Sequence, residues 1–178
     1  MSQDNYPETE LERELFRGIN VPDDLESQKL ILEQYKLYVE TMEKLVARRQ
    51  TLHSIMLIGN AFLMSVAGFF VTKVELPSRF PSGVGVMTVA LAGILLSLTW
   101  QKLSKYYGLL NRRKFEVIHT LETRLPVSLF WAEWVALGKG KNKDKYQSMA
   151  QIEAMIPIIF IVCYAALILF ALFLMVLE

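Results

Sequence analysis

Three stretches without Asp, Glu, Lys or Arg interrupt an otherwise charged chain: 50–72, 80–101 and 154–177. A bilayer's hydrocarbon core, roughly 30 Å thick, takes about 20 helical residues to cross, and each stretch is long enough. Three buried helices of a soluble protein would need more polar sequence to cover them than this chain offers. The pattern therefore predicts three transmembrane helices.

Helical periodicity continues beyond the first two stretches. The segment "SQKLILEQYKLYVETMEKLVARRQTLHS" holds neither proline nor glycine. Its Leu30, Leu37, Thr41, Leu45 and Leu52 recur about every 3.5 residues, with Ile31, Tyr35, Tyr38 and Met42 alongside. One helix is expected over 27–72, capped by Ser27. After the second stretch, Leu103, Tyr106, Leu110, Val117, Leu121 and Leu125 share a face bordered by Tyr107 and Ile118. Pro126 disfavours helix at the residue before it, so a second helix is expected over 84–125. Pro77, Pro81 and Gly83 lie between the two and mark a turn. The helices should be antiparallel, pairing through these stripes. The fold class is an all-α membrane protein: three transmembrane helices, the first two extended into a cytoplasmic helical stalk, in a homo-oligomeric bundle. The segments are an acidic tail (1–26), the first stalk and transmembrane helix (27–72) and an external turn (73–83). The second transmembrane and stalk helix (84–125), an aromatic helix with a basic connector (126–153) and the third transmembrane helix (154–178) follow.

Lys and Arg set the orientation, because they accumulate on the cytoplasmic side. Lys44, Arg48 and Arg49 precede the first span, and Lys102, Lys105, Arg112, Arg113 and Lys114 follow the second. Lys139, Lys141, Lys143 and Lys145 precede the third, while only Lys73 and Arg79 separate the first two. The N-terminus is thus expected in the cytoplasm and the C-terminus outside, for a multi-pass membrane protein.

Composition adds little more. Of 178 residues 53% are hydrophobic, and the net charge of +1 gives no global field to attract nucleic acid. Cys163 is the single cysteine, so no internal disulfide forms. The acidic start lacks the basic region of a cleaved signal peptide.

Candidate chemistry is sparse. No charged residue lies in a span, which argues against a pump or coupled transporter, whose relays need such groups. Asn60 and Ser65 are candidates for an intramembrane polar contact or for lining a pore in an oligomer. Small residues four apart, Ala61 with Ser65 and Gly93 with Ser97, permit close helix contact. His53, at the inner membrane boundary, and His119 are pH-sensing candidates. Glu116 and His119 have a spacing used in di-iron bundles, but one chain supplies a single copy, and a polar helix face with charge pairs is the favoured reading. Arg112, Arg113 and Lys114 are candidates for contact with anionic lipid or a cytoplasmic protein partner. Trp131 and Trp134 sit in "VSLFWAEWVAL", too short to span and apolar nearly all round, so the segment is expected to pack as core. The run "GKGKNKDK" (138–145) lacks the Ser or Thr of a phosphate-binding loop and is expected to be a connector. Ser148 and Gln151 fit a capping box for the third helix, and Pro157 should disturb it. No catalytic residue, cofactor or metal is expected.

Four segments in order carry a family likeness: "YKLYVETMEKLVARR", "YYGLLNRRKFEVIHTLETRLP", "FWAEW" and "IEAMIPIIFIVCY". Over about residues 30–164 the chain resembles the RipA family of octameric bacterial membrane proteins. The resemblance implies an inner-membrane, ring-like homo-octamer with a role in stress adaptation and, in pathogens, growth within host cells. It carries over no catalytic residue. The leading expectation is a non-enzymatic oligomeric scaffold whose partners are its own copies, membrane lipid and a cytoplasmic protein, without nucleic acid. The alternatives are an oligomeric pore or channel and an effector of a bacterial conflict system of the two-span type, from which the third span departs.

Overall fold

A computed structural model describes residues 10–17, 24–72, 79–140 and 149–176. The turn at 73–78, the connector from 141 on and Ser148 lie outside these residues, as do most of the acidic tail and the side chain of Gln151. The elements are α1 (Glu10–Phe16), α2 (Leu25–Thr72), α3 (Arg79–Glu122), α4 (Leu129–Ala136) and α5 (Met149–Val176), with a short 3-10 turn at Gly138–Gly140. No strand occurs among the described residues. Helices α2, α3 and α5 are each long and apolar enough to cross a membrane. The molecule is an all-α membrane protein. Its first two spanning helices, of 48 and 44 residues, are about twice the length a bilayer requires.

Local chemistry accounts for the helix ends. Asp24 Oδ1 accepts the N–H of Ser27 at 2.6 Å, so Asp24 is the cap of α2 and Ser27 is not. That backbone hydrogen bond also lowers the Asp24 pKa. Helix α3 already begins at Arg79, with Pro81 as its third residue. A proline costs no bond there, because the first four N–H groups of a helix have no intrahelical acceptor. At the other end α3 stops at Glu122 and closes in tight turns, Arg124 N–H to Leu121 O and Leu125 N–H to Glu122 O, both 3.1 Å. Pro126 forbids continuation, and the final turn tightens before reaching it. Gly138 turns the chain after α4 with φ 72°, a conformation glycine adopts freely.

The chain forms two compact units, Met1–Leu45 with Leu110–Gln147, and Val46–Leu109 with Ser148–Glu178. In the first, Tyr35 and Met42 of α2 pack on Ile118 and Leu121 of α3, with Leu15 of α1 and Phe130 of α4 against them. The face of α2 that packs is only partly the leucine stripe: Ile31, Tyr35 and Met42 are buried together with the stripe's Leu45, while Leu30, Leu37 and Thr41 are exposed. On α3 the expected stripe does pack in this unit: Leu121 is buried beside Ile118, with Val117 and Leu125 against them, whereas Tyr106, nearer the charge-free stretch, is exposed. Two apolar stripes run along α2, and the aromatic one carries the larger surface and faces the chain's own core. Helix α4 differs from its expected role too, since none of its residues is buried. Its Phe130 and Trp131 lie against the helix pair while remaining partly open.

In the second unit α3 is the most buried of the spanning helices. Glycines let its neighbours come close: the ring of Tyr164 (α5) lies over Gly93, and Phe70 (α2) over Gly85. Pairings fall in descending order along α3 as they rise along α2, His53 with Trp100, Asn60 with Ser97 and Phe70 with Gly85, so the two helices run antiparallel.

Candidate functional site

Inside the apolar second unit three buried polar side chains converge at Asn60. Ser97 Oγ donates to Asn60 Oδ1 at 2.9 Å, Asn60 Nδ2 donates to Met56 O at 2.8 Å, and the Tyr164 hydroxyl donates to Asn60 O at 3.0 Å. All three side chains are fully buried, so this node ties α2, α3 and α5 together in hydrocarbon, where no water replaces a lost partner. Ser65 stands apart. It is exposed and returns its hydroxyl to Ala61 O at 3.0 Å. Of the small-residue pairs, Gly93 and Ser97 make close helix contacts, whereas Ala61 and Ser65 are exposed. Asn60→Leu strands the Ser97 hydroxyl and is expected to cost about 1 kcal/mol. Equilibrium unfolding in detergent measures it. Ser97→Ala should add little further cost on top of Asn60→Leu, because the two share one bond.

A second cluster lies at one end of the charge-free stretches, near the start of the first, the end of the second and the start of the third. Trp100 Nε1 donates to His53 Nδ1 at 2.9 Å. The opposite ring nitrogen, Nε2, is 3.4 Å from Glu153, which is bound by Arg49. Because Nδ1 accepts, the ring's proton sits on Nε2, facing the carboxylate. Adding a second proton would turn both nitrogens into donors and break the tryptophan bond. The Arg49–Glu153 pair links α2 to α5.

The first unit holds a feature that sequence reasoning missed. Glu122 is 1% exposed, yet its carboxylate is fully used. Oε1 accepts from the Tyr35 hydroxyl at 3.1 Å and from Phe130 N–H at 2.8 Å, and Oε2 accepts from Trp131 N–H at 3.0 Å. A residue at the end of α3 thus caps the N-terminus of α4, where free N–H groups and the helix dipole favour negative charge. Ser128, the residue in the cap position, makes no side-chain cap bond and donates to Glu122 O at 3.3 Å instead. The available signal was "LETRLPVSLF", a carboxylate one turn before a proline and an apolar short helix.

The remaining candidates pack or pair within the first unit, although the buried Nε2 of His119 has no hydrogen-bond partner among the described residues. Glu116 receives Arg113 at 2.8 Å and Arg112 at 3.9 Å, all on the surface of α3. His119 packs between Phe115 and Trp131, at ring-centroid distances of 6.2 and 5.4 Å. Among the described residues no group of three or more His, Cys, Asp or Glu converges to hold a metal. Lys114 donates to Thr41 Oγ1 at 2.7 Å and lies over the Tyr38 ring. Lys139 covers the ring of Trp131 at 5.4 Å, and Trp134 is half-buried. A cleft of about 360 Å³ opens among Glu12, His119, Thr120, Thr123, Ser128 and Trp131. Its three hydroxyls already donate to backbone carbonyls.

These features, apolar spanning helices tied by internal hydrogen bonds and long helices continuing past them, define a helical membrane protein. The model of the octameric membrane protein family (8xMP) matches residues 32–173, and the chain belongs to that family. No curated protein and no solved structure matches the chain.

Proposed function

We propose that this protein is a non-enzymatic scaffold of the bacterial inner membrane, whose copies gather their cytoplasmic helices into a collar. The carrying observation is the outer face of that helical region. Leu30 and Leu37 are about 60% exposed on a helix whose other side is already packed, so the single chain leaves apolar surface for other chains to cover. The groups that catalysis would recruit are engaged in structure, Glu122 as a helix cap and Glu116 in surface ion pairs. Full burial of Asn60 within one chain supports a scaffold over a pore lined by that residue. The Lys and Arg distribution supports a cytoplasmic N-terminus and a periplasmic C-terminus. Likeness to the RipA family supports a role in stress adaptation and growth within host cells. Exposed Arg112 and Arg113 are the side chains offered to lipid or a cytoplasmic partner.

Amine-reactive cross-linking in native membranes is expected to give a ladder ending at eight copies, and monomer alone would overturn the reading. Reconstituted liposomes should show no ion flux. Steady conductance would favour the pore.

A further inference from the structure

We propose that neighbouring copies meet outside the bilayer head to tail, an apolar ridge of one entering an apolar groove of the next. The proposal rests on the oligomeric reading above and specifies the surface that serves it.

The groove has a volume of about 310 Å³ and lies between the start of α2 and the segment leading into α4. Leu25, Leu32, Val127 and Leu129 form its walls, with Tyr35 at its floor. Leu25, Val127 and Leu129 are each more than 60% exposed, an unusual density of open aliphatic surface outside the charge-free stretches. The ridge is the pair Leu30 and Leu37, one heptad apart on α2, 61% and 62% exposed.

Ring symmetry decides between a second copy and another occupant. A closed ring of identical subunits uses two different, complementary patches on each subunit, whereas a two-fold dimer uses one patch twice. The family is octameric, and this unit offers two separate patches. At 3.6 residues per turn, Leu25 and Leu32 lie roughly 140° around α2 from Leu30 and Leu37. In an eight-membered ring the two interfaces of a subunit face about 135° apart. Of the charges nearby, Lys29 lines the groove and Glu26 stands beside the ridge, whereas Glu33 is already paired with Lys36 at 2.8 Å.

Disulfide trapping in native membranes tests the contact. Two differently tagged full-length chains are co-expressed in a Cys163→Ser background, one with Leu37→Cys and the other with Leu129→Cys, and mildly oxidised. The expected product is a mixed-tag dimer. One chain carrying both substitutions should give a ladder, and each single variant alone should give none. Three results overturn the proposal: no mixed-tag disulfide while amine cross-linking of the same membranes still yields the octamer ladder; same-tag disulfides from either single variant, which would mean a two-fold contact; or a disulfide from Leu129→Cys to a foreign protein. Loss of the amine ladder in the unsubstituted chain would instead overturn the oligomeric reading itself.

Discussion

Glu122→Ala is expected to release α4 from the helix pair and to cost about 3–5 kcal/mol, measured by equilibrium unfolding of the full-length protein in detergent. The substitution leaves three donors without an acceptor: the Tyr35 hydroxyl and the N–H groups of Phe130 and Trp131. Each buried orphan costs about 1–3 kcal/mol, and the total is discounted because half-exposed Trp131 lets water reach its own amide. Glu122→Gln should cost less, since one oxygen still accepts while the new amide opposes an N–H. Tyr35→Phe removes a single hydrogen bond and should cost about 1 kcal/mol. Burial first, and then the bond to Glu122, push the Tyr35 hydroxyl up to about 12. Its contribution is therefore complete below pH 10 and lost only as the pH climbs through 12, so the phenol remains a donor throughout the neutral range. Ser128→Ala is the contrasting control. A serine just before a helix normally caps it for about 1 kcal/mol, but here the cap is Glu122, and the alanine should be nearly silent. Hydrogen exchange of the amides at 129–132 separates the two. They should exchange faster in Glu122→Ala and unchanged in Ser128→Ala. Equal exchange in both variants would remove Glu122 from the capping role.

The spans were legible because they depend on composition over some 20 residues, a signal that no single contact can reverse. Helix continuity through 27–50 was legible for the same reason, there being no breaker in it. The packing face of α2 was not. Leu30–Leu37 and Ile31–Tyr35–Met42 are both sound apolar stripes, and periodicity ranks neither as inside when each will be covered by something. The Asn60 contact could be anticipated as a class, since a polar side chain in hydrocarbon seeks a partner, but its partners, Ser97 and Tyr164, sit 37 and 104 residues away. Glu122 was invisible for a different reason. Its burial depends on the turn at Pro126 folding α4 back over the end of α3, which brings a carboxylate under a helix N-terminus that follows it in sequence. Nothing in the spacing separates it from Glu116, a surface residue on the same helix.

The close approach of α3 and α5 at Gly93 yields the other large effect. Gly93→Ala would place a Cβ 2.1 Å from Cζ of Tyr164, inside the ring's own volume. Two terms oppose each other. Alanine improves helix propensity over glycine by roughly 0.5–1 kcal/mol. Against that, forcing a methyl into filled space costs about 1–3 kcal/mol, and more where the neighbour cannot move. Tyr164 is fully buried, and its hydroxyl is anchored to Asn60 O, so the ring shifts only by giving up that bond as well. The clash wins, and Gly93→Ala is expected to destabilise the full-length protein by about 2–3 kcal/mol net in detergent unfolding. Tyr164→Phe keeps the ring over Gly93 and loses only the hydroxyl's bond, so it should cost about 1 kcal/mol and rescue nothing when combined with Gly93→Ala. Tyr164→Ala empties the space, and in that background Gly93→Ala should cost nothing or stabilise slightly, because only the propensity gain remains. A Gly93→Ala penalty that persists undiminished in the Tyr164→Ala background would show that α3 and α5 do not approach each other at this glycine.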